Sequence, residues 1–275
     1  MDYCRLCRSK KASKTNSHIF PKFLGVSMIE TNDGSRKGFK ISSKDGLNKR
    51  PDQDTPKEDY IFCPECESLL DHDYENPFAL NYYYERENPR SYFNVIIRNH
   101  HIYRVYYKLD YELFMKLFYS VIFRACISNH EGFKHFTLPK LIVEKIRKLL
   151  LGEIPFEQFP LYILTCPVNP HPTGNFMGAI SFDDNTHIIG VNEFILLIDL
   201  SSDNRIGKIF TDIYNPKYNL VRILTLPYHY WNSWIRDIPF RTVLDRMYKD
   251  RMIEYIMNGL IINKLVKQGI LKKKD

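Results

Sequence analysis

The stretch CRLCRSKKASKTNSHIFPKFL, residues 4–24, sets the reading of this chain. Cys4 and Cys7 stand two residues apart, and His18 follows eleven residues after Cys7 in the string SHIFPKF. A second pair, Cys63 and Cys66, lies in FCPECE. Thiolates suit a tetrahedral zinc ion, and C-x-x-C spacing lets both sulfurs of a tight turn face one ion. The two pairs predict one Cys4 zinc site, the alternative being four reduced core cysteines. Arg5 and Arg8 surround the first pair; Phe62 and Pro64 flank the second. Four protein ligands leave no open coordination position, so such a zinc is structural and folds a small module that lacks a large core.

The other two cysteines, Cys126 and Cys166, are isolated in apolar surroundings and read as inert core residues. The chain opens MDYCRLC with no apolar signal region, which predicts a cytoplasmic, reduced protein rather than a disulfide framework. No apolar run reaches the roughly 18 residues of a membrane span, so no membrane partner is expected. At 275 residues and 44% hydrophobic content the chain can build one large domain or two smaller ones. Its net charge of +7 is mild, but residues 1–60 hold 13 Lys/Arg against 8 Asp/Glu. Positive charge near a metal site suits phosphate contacts. Arg5, Arg8, Lys10, Lys11 and Lys22 are the candidate nucleic-acid contacts. Solubility accounts for the same charge equally well.

Two regions follow from the patterning. Residues 1–85 read as the zinc module, interrupted over residues 25–60 by a long polar insertion with a hairpin at GFKISS. Residues 86–275 read as an α+β domain. Residues 90–105 are strand-like, helices are predicted over 108–129 and 137–151, and strands fall within 160–227 as an antiparallel meander. Thr137 is the expected N-cap of the second helix, with Pro139 early and Gly152 closing it. A final helix is expected over 239–268. The predicted class is therefore α+β: a zinc module, a helical middle, and a strand-rich C-terminal half ending in helix.

The sequence CRLC…SHIFPKFL…QDTPKEDYIFCPECE resembles the HNH nucleases of the ββα-metal class. More closely, it is similar to prokaryotic HNH endonuclease-like proteins, many associated with anti-phage defence. The likeness covers residues 4–80, extends more loosely to 108–128, and leaves 160–275 unexplained. It implies an HNH-like or treble-clef module that hydrolyses nucleic acid, DNA being favoured. His18 would deprotonate the attacking water, and a divalent ion, Mg²⁺ or Mn²⁺, would stabilise the phosphorane. The sequence departs from the pattern at two positions. Ser17 stands where the family has its metal-binding Asp, and Glu67 where it has Asn. Asn48 is the nearest equivalent of the middle Asn.

Helical spacing offers replacements for the missing ligand. A helix starting near Cys66 places Glu67, Asp71 and Glu75 on one face, with His72 beside them. The same acidic residues are also what a helix start attracts. Arg124 and His130, six apart, resemble the R-x(4–6)-H pattern of HEPN ribonucleases, a spacing that arginine-rich chains produce by chance. His100 and His101 would face opposite sides of a strand. His171 lies in a Pro/Gly turn, and PYHYWNSWIRD (227–237) packs aromatics with His229 and Arg236. Two functions remain open: a metal-dependent nuclease with His18 as base, and a non-catalytic zinc-organised module that binds nucleic acid or protein. The C-terminal half is a further candidate surface for a protein partner.

Overall fold

The structure, a computed structural model, describes residues 2–29, 38–41, 49–52, 54–83, 94–98, 101–107, 110–156, 161–165, 176–181, 184–201, 214–215 and 220–225. Helices and strands are mixed along the chain, as the α+β pattern predicts. The N-terminal region carries β1 (Ser17–His18), α1 (Lys22–Ile29), β2 (Gly38–Ile41), β3 (Lys49–Asp52), β4 (Lys57–Glu58) and α2 (Pro64–Leu69). β1 pairs antiparallel with β4, and β2 with β3, so the polar insertion is a hairpin nested inside a shorter hairpin. α2 starts where the sequence signals it should: Cys63 is the extended cap residue, Pro64 opens the first turn, and Glu65 and Glu67 lie at the positive helix end.

Beyond Leu69 the helix does not keep α geometry. Leu70–Glu75 and Ala79–Tyr83 are widened π turns, with Asn76–Phe78 α-helical between them. A π turn bonds i to i+5. Residues four apart therefore drift off a common face, contrary to the α-helical spacing predicted for Glu67, Asp71 and Glu75.

Two further helices are α3 (Tyr111–Ile127) and α4 (Lys140–Leu150). The Asp110 carboxylate caps α3 by accepting from the Leu113 N–H at 3.0 Å. α4 corrects one expectation, because its cap residue is Pro139, not Thr137. Thr137 is instead clasped by Ser181, whose Oγ accepts from the Thr137 N–H and donates to the Thr137 carbonyl, each at 3.0 Å. Gly152 closes α4 as predicted, with φ +69°. The Gly152 N–H bonds the Leu149 carbonyl and the Glu153 N–H bonds the Lys148 carbonyl, the pairing of a Schellman cap.

The strand-rich segments join in one eight-stranded sheet. Its members are β5 (Asn94–Arg98), β6 (His101–Tyr107), β7 (Leu161–Thr165), β8 (Phe176–Ser181), β9 (Thr186–Asn192), β10 (Phe194–Asp199), β11 (Tyr214–Asn215) and β12 (Leu220–Thr225). The order is β5-β6-β12-β7-β10-β9-β8, with β11 on β12. β8, β9 and β10 follow one another as the expected antiparallel meander, but β7 departs from it: it pairs with β10, not with β8. Two features were not legible in the pattern. β12 lies parallel to β7 and brings β5 and β6 into the same sheet. The string THIIGVNEFILLID is two strands, turned at Asn192 with φ +57°.

Every residue of β10 is buried. The Phe118 ring on α3 meets Phe194 edge-on at 5.3 Å, tying helix to sheet. One continuous buried cluster extends from Cys4 through Phe20, Phe78 and Phe118 to Ile223. Among the described residues no helix is long and apolar enough to cross a membrane. Asn48, His100, Cys166, His171, residues 227–237 and the helix expected over 239–268 lie outside the described residues.

Candidate metal centre

The first knuckle is a tight loop. The Cys4 N–H bonds the Lys10 carbonyl, the Arg8 N–H bonds the Cys4 carbonyl, and Tyr3 bridges Lys11. Arg8 turns the chain at φ +59° without the help of a glycine. The second knuckle lies beside it because the Arg5 N–H bonds the Ile61 carbonyl, and the Ser13 and Lys14 N–H groups bond the Phe62 carbonyl. Cys63 and Cys66 sit at the start of α2, where unpaired N–H groups favour negative charge.

These contacts bring the sulfurs of Cys4, Cys7, Cys63 and Cys66 within 4.8 Å of one another. Cys7 Sγ and Cys63 Sγ are 3.9 Å apart. A tetrahedral ion about 2.3 Å from each thiolate sets its sulfurs roughly 3.8 Å apart. The cluster therefore fits a metal ion by both size and donor type. The crowded thiols hold their protons unequally. A hydrogen bond from Cys66 holds the Cys4 thiol down at about 4, against its burial, and further bonds come from backbone N–H groups including that of Cys7. The partner Cys66 thiol is pushed up by the same bond, and burial pushes Cys63 up to about 11. A cation in the centre relieves this crowding of protons and charge, since bound thiolates are all deprotonated.

The knuckle is braced by a charged group that sequence reasoning missed. Arg147 on α4 donates from Nη1 to the Leu6 carbonyl at 2.8 Å, inside the C-x-x-C loop. It also pairs with Glu144 and Glu153, each at 3.0 Å. Glu144 binds Arg8 at 2.6 Å. The nearest sequence signal was the amphipathic pattern of α4, which says nothing about an atom 141 residues away in the chain.

His18 lies on β1 opposite Lys57 in the β1–β4 register. Its Nδ1 contacts Thr55 Oγ1 at 2.5 Å, and the Thr55 N–H bonds the Asp54 carboxylate. Burial, followed by Lys57, pushes the imidazole down to about 4. Neighbouring Ser17 is fully buried, and its hydroxyl donates to Glu67 Oε2 at 3.0 Å, joining β1 to α2.

The other proposed ligands diverge. Asp71 is exposed, and His72 is exposed with Nδ1 against Asp73 at 2.9 Å. Glu75 is buried against Arg124 at 2.5 Å. Among the described residues the four cysteines are the only group of three or more metal-ligating side chains that converge. Arg124 and His130 each serve local structure, Arg124 in its ion pair and His130 by accepting from the Gly132 N–H. Cys126 is half-buried by surface area, and burial of its thiol pushes it up to about 12, in keeping with an inert core residue.

The basic candidates divide in the same way. Arg5 donates to the Ile127 carbonyl, Arg8 pairs with Glu144, and Lys10 pairs with Glu65 at 2.8 Å. Lys11 and Lys22 are exposed and make no ion pair among the described residues. Comparison with protein-family models, curated proteins and solved structures gave no match to this chain.

Proposed function

We propose that this chain is an HNH-like nuclease whose N-terminal module is organised by one structural Zn²⁺ on Cys4, Cys7, Cys63 and Cys66. The reading favours DNA as substrate and anti-phage defence as setting, on the strength of the sequence resemblance. The observation that carries it is the setting of His18: half-buried on a short antiparallel strand pair, with Nδ1 held by Thr55 at 2.5 Å, on the strand whose Ser17 is tied to Glu67 of α2. With Nδ1–H donated to Thr55, Nε2 carries the lone pair that takes a proton from the attacking water. The neutral imidazole needed for this step is the form that burial already favours. Lys57, opposite His18 in the register, is itself paired with Asp54 at 2.5 Å.

A second divalent ion, Mg²⁺ or Mn²⁺, would supply Lewis-acid stabilisation when bound. The described residues assemble no carboxylate set for it around His18. That divergence favours a second reading, in which zinc only organises a binding module. In that module Ser17, Glu67 and Glu75 are purely structural. A cleavage assay on zinc-loaded protein with added Mg²⁺ or Mn²⁺ separates the two. The nuclease reading expects cutting that His18→Ala reduces by at least about 100-fold with zinc content unchanged. Absence of cutting with any divalent ion, or equal cutting by the variant, favours the binding module.

A further inference from the structure

Arg5 is committed to the Ile127 carbonyl, and Arg8 and Lys10 are exposed but paired with Glu144 and Glu65; a second surface beside them carries exposed lysines outside any such pair among the described residues. Four large hydrophobic side chains are exposed among the described residues, and two are tyrosines of the cysteine module: Tyr3 at 68% and Tyr60 at 57%. Each is joined through the backbone to an exposed lysine. Tyr3 bridges Lys11, and the Tyr60 N–H bonds the Lys14 carbonyl at 2.7 Å. Lys11 and Lys14 make no ion pair among the described residues. The segments belong to one frame, since Ser13 and Lys14 bond Phe62 while Arg5 bonds Ile61.

Tyr60 also adopts φ +60°, a left-handed conformation that glycine takes freely and a bulky aromatic residue takes only under strain. Strain of this kind persists where the surroundings over-determine it, often at a working surface. Here the strained backbone holds an aromatic ring out in water, where burial repays nothing.

We propose that Tyr3, Tyr60, Lys11 and Lys14 form a stacking platform for single-stranded nucleic acid. Exposed aromatic rings accept the faces of unpaired bases, and flanking lysines contact the backbone phosphates. A paired duplex offers its phosphates but keeps its base faces covered, so the tyrosines select strands with bases exposed. This inference rests on the nucleic-acid reading above and specifies the form of nucleic acid that is bound.

The test uses the full-length zinc-loaded chain and fluorescence anisotropy. The probes are a labelled 20-nucleotide oligothymidylate and a mixed-sequence duplex, each titrated across a salt series. Tyr3→Ala with Tyr60→Ala is expected to weaken single-strand binding on the order of tenfold or more, leaving duplex binding and zinc content unchanged. Lys11→Ala with Lys14→Ala is expected to flatten the salt dependence for both probes. Tyr60→Gly relieves the backbone strain, so it is expected to weaken single-strand binding without lowering the urea midpoint. If the wild-type chain binds single strands and the double tyrosine variant binds them equally well, the platform is overturned and the nucleic-acid reading stands. If the wild-type chain binds neither probe, both fall. Displacement of the oligonucleotide by polyglutamate at equal charge would overturn the platform in favour of an acidic protein partner.

Discussion

At the scale of single residues, position within a short motif decides less than the partner each side chain finds. Ser17 stands where an HNH pattern has a metal-binding carboxylate, and its buried hydroxyl is committed to Glu67. His18 is the residue whose chemistry is open to test by pH. Burial first, and Lys57 second, push it down to about 4 from an ordinary value near 6.5. The unfolded chain therefore takes up this proton first as pH falls. The stability tied to neutral His18 is complete above pH 6.5 and is lost on descent toward about pH 4. Urea unfolding of wild-type and His18→Gln protein across that range should show a shallower acid decline in the variant. Parallel declines would mean that His18 titrates normally in the folded chain.

At the scale of elements, the metal cluster depends on a helix far from it in sequence. Arg147 on α4 bonds the Leu6 carbonyl at 2.8 Å. That carbonyl belongs to the Leu6–Cys7 peptide, between the two cysteines of the first pair. The guanidinium thus steadies the ligand loop through one peptide group, an outer contact of the kind that tunes metal retention. Arg147→Met leaves a buried carbonyl without its donor and Glu153 without its cation, while Glu144 keeps only Arg8. A loss of about 1–3 kcal/mol is expected, read by urea unfolding, with zinc released several-fold faster to a chromogenic chelator. Arg147→Lys retains the charge without the planar fork and should fall between the two. Release at the wild-type rate from both variants would remove Arg147 from this role.

At the scale of the whole molecule, the cysteine cluster and the sheet share one buried cluster of side chains. Much of this was legible in the sequence, because local chemistry determined it. The C-x-x-C pairs, the α3 and α4 helices, the Gly152 cap and the β8–β9–β10 run all follow from spacing, periodicity and turn residues. What was not legible depends on long-range geometry. The parallel β7–β12 pairing, the π turns after Leu69 and the Arg147 contact are set by packing between distant segments. The acidic trio illustrates the difference. Its spacing of four is correct for an α-helix, but the widened turns leave Asp71 exposed and bury Glu75 against Arg124. Lys14 and Tyr60 were missed for a related reason: a residue's freedom from partners is visible only once the partners of its neighbours are known.

We propose above all that the four clustered cysteines, from both ends of a nested hairpin, hold one zinc ion. X-ray absorption at the zinc edge on purified full-length protein tests it most directly. One zinc per chain is expected, with four sulfurs at about 2.3 Å and no nitrogen or oxygen bound to it. A mixed shell containing histidine nitrogen, or a chain that carries no stoichiometric zinc, would contradict it.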